Sequence, residues 1–217
     1  MNTVRDLIRQ SKTLTGPFPE FPINEAPGLP HELFLEWFQT AIDHAIPEPH
    51  SVALSTIDEN GAPDARVLII KDVDQDGWYF ASSSLSKKGK QIEFNPNVAL
   101  TFYWPGVGRQ VRIRGKAIKM DIDQSANDFL KRGMMARAIA LLEKQSSVLK
   151  DQLEFEEALA EGIKRIKQKP DLVSPSWVLY RVMAKEVEFW QADEERKHIR
   201  LKYTLEHNMW LRELLWP

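Results

Sequence analysis

The fold is decided by residues 66–119, RVLIIKDVDQDGWYFASSSLSKKGKQIEFNPNVALTFYWPGVGRQVRIRGKAIK, which hold four runs of strand-forming residues. Three of these runs, 66–73, 78–82 and 98–104, are rich in β-branched and aromatic residues, which favour strands. In the fourth run, 110–120, apolar and basic residues alternate, and this period of two is typical of a strand with one buried face. The DQDG between the first two runs predicts a hairpin, because aspartate and glycine readily adopt turn conformations.

Between the second and third of these runs, SLSKKGKQIEFNPN predicts a short capped helix that carries three lysines. A helix that begins near Ser84 directs free N–H groups and the positive end of its dipole at its N-terminus, which suits a phosphate. A well-capped surface helix is the more common use of the same residues, and the sequence leaves both open. The polar and basic residues concerned are Ser82, Ser83, Ser84, Ser86, Lys87 and Lys88.

The rest of the chain extends this pattern with further strands and helices. Further strands are predicted at 51–58, 177–191, 199–203 and 209–215, and helices at 1–12, 31–46, 123–131, 134–144 and 148–168. In the last of these helices Leu149, Leu153, Phe155, Leu159, Ile163 and Ile166 are expected to face the interior. The pattern predicts a mainly β, α+β protein: an antiparallel barrel, closed or split, of six to seven strands with inserted helices. We expect a single domain over 1–217, with an N-terminal helix and extended arm at 1–30 and a helical insertion at 121–170.

Composition excludes several classes of protein. The chain has 29 basic and 31 acidic residues and a net charge of −2, so no global field attracts nucleic acid or anionic lipid. It contains no cysteine, which excludes disulfides, thiolate catalysis and cysteine-ligated metals. The N-terminal MNTVRDLIRQSK lacks the apolar core of a signal peptide, and no apolar run approaches the ~20 residues of a membrane span. We therefore expect a soluble cytoplasmic protein with no nucleic-acid or membrane partner.

Familiar catalytic and metal-binding motifs are missing. The GVGRQ at 106–110 is similar to the start of a dinucleotide fingerprint, but a strand follows it where that motif needs a helix. The sequence has no HExxH and no GxSxG, and the spacing of its five histidines predicts no metal site. Four of these histidines, His31, His44, His50 and His207, are interpreted as structural or solvent-facing.

The fifth histidine, His198, lies in the cluster FWQADEERKHIRLKY. If this segment is extended, Arg196, His198 and Arg200 project to the same side, which predicts a site for an anion or a polarised ring. The alternative is a solvated strand edge balanced by Glu194 and Glu195. The residues alone do not decide between the two.

Several pieces of the chain, in order and at matching spacing, resemble the pyridoxine/pyridoxamine 5'-phosphate oxidase family. They are RVLIIKDVD, SLSKKGKQIEFNPNVALTFYWP, GRQVRIRGKA, KQS and VEFWQADEERKHIRLKY. The resemblance runs from about residue 47 to the C-terminal LLWP. It implies an FMN-binding split barrel that forms a homodimer and uses dioxygen to oxidise a phosphorylated pyridine at C4', giving pyridoxal 5'-phosphate.

The resemblance also implies a set of FMN-binding residues, with Gln145 and Ser146 matching a pair that is donated across the dimer. Lys87 stands where the family more often has arginine, so a bidentate donor becomes a point charge. The implied cofactor-binding residues are Arg66, Val67, Leu68, Ile69, Ile70, Lys71, Ala81, Ser82, Lys87, Lys88, Gln110, Gln145, Ser146, Trp190 and Arg200.

The implied substrate side departs further from the family. Arg196 and His198 match the catalytic residues over the reacting carbon, and no metal ligand is implied. Asp128 replaces the usual tyrosine and Ala136 the usual serine near the substrate phosphate, and a free carboxylate there would repel a phosphate dianion. The implied substrate-binding residues are Lys71, Arg132, Arg196, Lys197 and His198.

Two alternatives follow from these departures. SKTLTGPFPEF, the PEP before the first strand, and FLKR are also similar to the flavin oxidase of phenazine biosynthesis, which shares the fold but acts on a tricyclic carboxylate. The other alternative is a protein that binds flavin or pyridoxal phosphate without catalysis.

Overall fold

A computed structural model describes residues 2–217, within which the chain forms six α-helices and eight β-strands. The helices are α1 (Val4–Gln10), α2 (Pro30–Asp43), α3 (Lys87–Phe94), α4 (Ile122–Leu130), α5 (Met134–Leu141) and α6 (Gln152–Gln168). The strands are β1 (Ser51–Ile57), β2 (Pro63–Asp74), β3 (Gly77–Ser83), β4 (Asn97–Trp104), β5 (Arg109–Lys119), β6 (Trp177–Gln191), β7 (Ile199–Glu206) and β8 (Met209–Leu214). Short 3₁₀ turns lie at Ile23–Glu25 and Pro105–Val107.

The strands form one sheet in the order β3-β2-β1-β4-β5-β6-β7-β8, and a further pairing of β3 with β6 closes its first six strands. In that closing pair Trp78 lies opposite Val182 and Ser83 opposite Trp177. The last two strands, β7 and β8, extend the sheet beyond the closure as an antiparallel hairpin. The α+β split barrel of six to seven strands predicted from the sequence is confirmed: six strands form the closed barrel, and β7 and β8 are added to it.

The hairpin predicted from DQDG is present between β2 and β3, and a second hairpin joins β1 to β2. The turn between β1 and β2 contains Gly61 at φ 80°, a left-handed conformation that favours glycine. Between β2 and β3, the Asp74 carboxylate accepts hydrogen bonds from the N–H groups of Asp76 at 2.8 Å and Gly77 at 3.1 Å. These side-chain bonds satisfy the backbone of the turn and fix the register of the hairpin.

By contact density the chain divides into two compact units. The terminal unit comprises the chain up to Pro49 with Phe102–Arg112 and Val187–Pro217, and the central unit comprises His50–Thr101 and Ile113–Glu186. Strands β4, β5 and β6 therefore contribute residues to both units. The predicted single domain over 1–217 stays a prediction.

The terminal unit has an aromatic core. The amphipathic face of α2 buries Phe34 and Trp37, and the Trp37 ring meets Phe189 edge-on with centroids 5.1 Å apart. The guanidinium of the buried Arg109 lies 4.4 Å from the centre of the Trp37 ring. Its Nε donates to Gln191 Oε1 at 2.8 Å and its Nη2 to the Glu20 carbonyl at 3.2 Å, so this cation ties the N-terminal arm to the core.

The central unit buries alternate residues of its strands and a separate cluster around the helices. In β1 Val52, Leu54 and Thr56 are buried while their neighbours are partly exposed. Helices α4 to α6 pack around Phe129, Ala138 and Ile166, with Trp177 at the start of β6. The insertion thereby has an apolar core of its own.

Several predicted helix ends are wrong by a few residues. Helix α4 is capped by Asp121, not Asp123, because its carboxylate accepts the Gln124 N–H at 2.7 Å. Helix α6 begins at Gln152 rather than 148, and Leu149 and Leu153 are exposed instead of facing the interior. No helix among residues 2–217 has the length and apolar character that crossing a bilayer requires.

Gly115 in β5 provides a test of the packing between neighbouring strands. A Cβ at this position would come within 2.1 Å of the Met183 carbonyl oxygen, a backbone atom of β6 that cannot rotate away. Overpacking of this kind costs about 1–3 kcal/mol. We therefore expect Gly115→Ala to lower the free energy of unfolding, measured by urea titration, by an amount in this range or above it. Gly28→Ala is the control, since no atom lies within 4 Å of its added Cβ. Equal stabilities of the two variants would contradict this packing.

Candidate active site

Strand β2 and the start of α3 bring three basic residues together, and we call Arg66, Lys87 and Lys88 the cationic cradle. Helix α3 is capped by Ser86, not Ser84, with its side chain accepting the Gly89 N–H at 3.2 Å. The cap therefore places Lys87 and Lys88 in the first turn, at the positive end of the helix.

Lys88 carries a charge that is only partly compensated. Its ammonium donates to Ser82 Oγ at 3.3 Å and to Ser86 Oγ at 3.5 Å, and it forms no salt bridge with a carboxylate within residues 2–217. Burial, together with the neighbouring Arg66, lowers the pKa of Lys88. A partly desolvated ammonium beside two hydroxyl groups fits the phosphate of a nucleotide cofactor.

Arg66 is held by buried polar groups of β1 and α3. Its Nη1 donates to Thr56 Oγ1 at 2.6 Å and to the Leu54 carbonyl at 3.3 Å, and its Nη2 donates to Gln91 Oε1 at 3.2 Å. Thr56 in turn donates to Gln91 Oε1 at 2.7 Å. Because Thr56 and Gln91 are buried, the guanidinium has a fixed position before any ligand arrives.

A carboxylate that the sequence analysis missed joins the cradle. Asp64 Oδ2 lies 2.8 Å from Arg66 Nη2, 3.0 Å from Lys87 Nζ and 3.1 Å from Gln91 Nε2. Hydrogen bonds from Lys87 and Gln91 lower the pKa of Asp64 to about 2. Asp64 lies two residues before Arg66 on β2, so strand alternation, which puts both side chains on one face, was the signal that could have found it.

Ser146 lies beside the cradle in the same chain. Its hydroxyl accepts a hydrogen bond from the Lys87 N–H at 3.4 Å, and its backbone adopts a left-handed conformation with φ 70°. The neighbouring Gln145 donates to the Ile139 carbonyl at 3.1 Å. Ser146 thus contacts the cradle within one chain, and the expected donation of Gln145 and Ser146 across a dimer stays a prediction.

A cleft of about 450 Å³ in the central unit holds the predicted substrate residues Lys71 and Arg132. The Arg132 guanidinium stacks 3.9 Å from the centre of the Trp177 ring and donates to the Ala136 carbonyl at 3.2 Å. Burial lowers the pKa of Arg132, while Asp128 opposes that shift. The cleft is lined by Lys71, Asp72, Asp74, Tyr79, Gln124, Asn127, Asp128, Lys131, Arg132 and Leu179.

Asp128 is paired with a neighbouring side chain. Its Oδ2 accepts the Trp177 indole N–H at 2.8 Å, so the same indole meets Arg132 on its face and Asp128 at its nitrogen. With three cationic and three acidic side chains lining it, the cleft has no net charge at neutral pH. A dianion therefore gains less there than it would in a purely basic pocket.

In the terminal unit, the segment around Arg196 is a turn. Asp193 Oδ1 accepts the N–H groups of Glu195 at 2.8 Å and Lys197 at 3.0 Å, and Arg196 has φ 66°. Strand β7 begins only at Ile199, so the extended segment that would place Arg196, His198 and Arg200 on one side is not formed. The Asp193 side chain favours the turn because it satisfies the backbone N–H groups that a strand would leave to a neighbour.

This turn borders a cavity of about 240 Å³. Within it, the His198 ring lies 4.8 Å from the Trp190 ring, and its Nδ1 accepts the Asp193 N–H at 3.1 Å. The N-terminal arm reaches the same cavity through Thr13, Leu14 and Phe18. The arm thus lines a pocket that contains both predicted catalytic side chains.

Other predicted site residues have different surroundings. Arg200 is engaged by Glu188, at 2.9 Å from Nε and 2.8 Å from Nη2, and by the Trp216 carbonyl at 2.9 Å. Lys197 forms an ion pair with Glu195.

The predicted flavin residues on the barrel strands differ in exposure. Gln110 is partly buried at the start of β5. Along β2, Val67 and Ile69 are exposed and Leu68 and Ile70 partly buried, and Ala81 is partly buried on β3.

The closed six-stranded barrel with its two added strands defines a split-barrel protein. Matches to two family models agree with this class: "Pyridoxamine 5'-phosphate oxidase" over residues 38–191 and "Pyridoxine 5'-phosphate oxidase C-terminal dimerisation region" over residues 177–217. The chain belongs to the pyridoxamine 5'-phosphate oxidase family.

Curated relatives are similar over nearly their whole length. The chain is 40% identical over 195 residues to the pyridoxine/pyridoxamine 5'-phosphate oxidase of Azotobacter vinelandii, covering 89% of this chain and 91% of the relative. It is 38% identical over 190 residues to the enzyme of the same name from Haemophilus influenzae (strain Rd), covering 87% and 89%.

Among solved structures, PhzG from Burkholderia lata, in complex with tetrahydrophenazine-1-carboxylic acid, matches with a TM-score of 0.87. It is 28% identical, and the match covers 93% of this chain and 100% of that one. A pyridoxamine 5'-phosphate oxidase-related, FMN-binding protein from Nostoc punctiforme has a TM-score of 0.68 at 18% identity, which supports the fold alone.

The buried network under Arg66 can be tested by removing one hydroxyl. Thr56→Val keeps the shape of the side chain but removes one hydrogen bond from each of Gln91 and Arg66. A hydrogen bond to a charged group contributes about 1.5–3 kcal/mol, and we expect a loss of this size in the free energy of unfolding. Thr204→Val is the matched control, because its buried hydroxyl has no partner within the described chain. If Thr204→Val lowered the free energy of unfolding as much as Thr56→Val does, the hydrogen-bond network around Thr56 would contribute nothing to stability.

Proposed function

We propose that this protein is an FMN-dependent oxidase that converts pyridoxamine or pyridoxine 5'-phosphate to pyridoxal 5'-phosphate, with dioxygen as the electron acceptor. The observation that carries the proposal is the cradle, where Lys88 donates to two serine hydroxyls and, within residues 2–217, has no carboxylate in salt-bridge contact. The curated names of relatives at 38–40% identity supply the reaction. From the sequence alone, the same residues also fitted a capped surface helix.

The cradle fits the phosphate of FMN through charge and hydrogen bonding. Arg66 is pre-oriented by Thr56 and Gln91, so little side-chain entropy is lost when it binds an anion. Ser82 and Ser146 add hydroxyl groups from β3 and from the loop after α5. When bound, FMN supplies the hydride acceptor and passes the electrons to dioxygen. We assign the remaining flavin contacts to Val67, Leu68, Ile69, Ile70, Lys71, Ala81, Lys87, Gln110, Gln145, Trp190 and Arg200.

On the substrate side, we assign the orientation of the ring to Arg196 and His198. Because His198 Nδ1 accepts the Asp193 N–H, the neutral ring carries its proton on Nε2 and can donate a hydrogen bond from there. Lys197 joins these two in the substrate set. Lys71 and Arg132, both in the cleft of the central unit, are assigned to the substrate phosphate.

We infer that the protein acts as a homodimer, in which residues of both subunits complete each site. The match of residues 177–217 to a C-terminal dimerisation region supports this assembly. Its cytoplasmic location stays a prediction of the sequence.

A second candidate is a flavin oxidase of an aromatic carboxylate. The observation that favours it is Asp128, which brings a third carboxylate into the cleft with Lys71 and Arg132. A carboxylate monoanion needs less positive charge than a phosphate dianion. The similarity to PhzG, whose structure holds a phenazine carboxylic acid, agrees with this alternative.

Anaerobic bleaching tests the proposed function. The purified yellow protein should lose its flavin absorption when pyridoxamine 5'-phosphate is added without oxygen, and recover it when air is admitted. The Arg196→Ala variant should keep its flavin but bleach much more slowly, because the residue assigned to orient the substrate is gone. Bleaching only by a dihydrophenazine carboxylate would favour the second candidate. Absence of bleaching with both substrates would indicate a binding protein without catalysis.

Flavin retention tests the cradle itself. Lys88→Ala removes a charge-assisted contact of about 1.5–3 kcal/mol, so we expect FMN affinity to fall by about 10- to 100-fold. Flavin-fluorescence quenching measures the affinity, and Lys90→Ala, an exposed lysine on the same helix, is the control. Equal FMN affinity in both variants would remove Lys88 from the site.

A further inference from the structure

The cradle contains its own anion, Asp64, which interacts with two of the three cations proposed to bind the flavin phosphate. A single oxygen of this side chain, Oδ2, lies within 3.1 Å of donor nitrogens on Arg66, Lys87 and Gln91. A phosphate that binds Arg66 Nη2 and Lys87 Nζ would compete with this oxygen for both nitrogens.

Asp64 is not needed to position Arg66. The Arg66 guanidinium already donates to Thr56, to the Leu54 carbonyl and to Gln91, all of which remain when Asp64 is removed. Lys87 differs, because the salt bridge to Asp64 is the one ion pair that its ammonium makes within residues 2–217. Most of the Lys87 side chain is exposed, so it is free to turn toward another anion.

We propose that Asp64 limits the affinity for FMN, because its carboxylate occupies donor groups of Lys87 and Arg66 in the flavin-free protein. Binding of the phosphate then breaks the Asp64–Lys87 pair. This inference rests on the proposed function, since it requires FMN as the ligand of the cradle. With Asp64 ionised, the cradle has a net charge of +2, from three cations and one anion. Removing the carboxylate raises that charge and frees both donors for the phosphate dianion.

The effect should be specific for the phosphate. Breaking the Asp64–Lys87 pair costs little free energy, because exposed ion pairs are weak. Replacing Asp64 removes this competing pair and the repulsion between its carboxylate and the phosphate, so FMN binding should tighten by at least about threefold. Riboflavin has the same ring and ribityl chain but no phosphate. Its affinity should therefore not change when Asp64 is replaced.

The experiment compares the dissociation constants of FMN and riboflavin for flavin-free, full-length protein by fluorescence quenching. Asp64→Asn keeps the size of the side chain, and Asp64→Ser provides a second variant without the amide. Glu161→Gln, which neutralises a carboxylate paired with Lys164 on α6, is the matched control for a change in net charge. Thermal unfolding of each flavin-free variant checks that the fold is retained.

Tighter FMN binding in both Asp64 variants, with riboflavin and Glu161→Gln unchanged, supports the inference. Equal or weaker FMN binding in the Asp64 variants overturns it and leaves the proposed function intact, because Asp64 would then position the cations. An equal gain for riboflavin also overturns it, since the effect would not act through the phosphate. Failure of the wild-type protein to bind FMN would overturn the proposed function together with this inference.

Discussion

Positive charge held partly out of water has to be compensated, and this constraint organises the central unit. Arg66 on β2 donates to the buried Thr56 and Gln91, and Lys88 in the first turn of α3 donates to the buried Ser82 and Ser86. Neutral oxygens stabilise such cations only in part, which keeps the site receptive to an anion. The network that fixes the fold of this region is therefore also the network that prepares it for a ligand.

The two anion-related sites of the central unit treat acidic side chains differently. In the cradle, Asp64 contacts the cations directly, whereas in the cleft Asp128 is bound to the indole N–H of Trp177. Trp177 also stacks under Arg132, so its ring holds an acid and a base in fixed places. The two carboxylates thus differ in the partners that already engage them: cations for Asp64 and an indole N–H for Asp128.

The barrel was predictable from the sequence because apolar residues alternate with polar ones in strands that have one buried face. The turns between these strands also contain Asp-Gly or Asn-Gly. Predicted helix ends were less accurate, since Asp121 and Asp123 are equally good caps in sequence and only the bond to Gln124 decides between them. The turn at Arg196 was missed because the side-chain contacts of Asp193 that hold it are invisible in a pattern of alternation. Asp64 was overlooked for a related reason: its importance depends on Lys87, which is distant in the chain.

Arg109 links the N-terminal arm to the strand that carries Gln110. Its guanidinium is buried on Trp37 and uses the Glu20 carbonyl as one acceptor, and burial lowers the pKa of Arg109 to about 10. Proteolytic trimming of the arm beyond Glu20 would take that acceptor away from a cation that has few others. Loss of this peripheral segment would then destabilise the sheet at Arg109, the residue next to the proposed flavin contact Gln110.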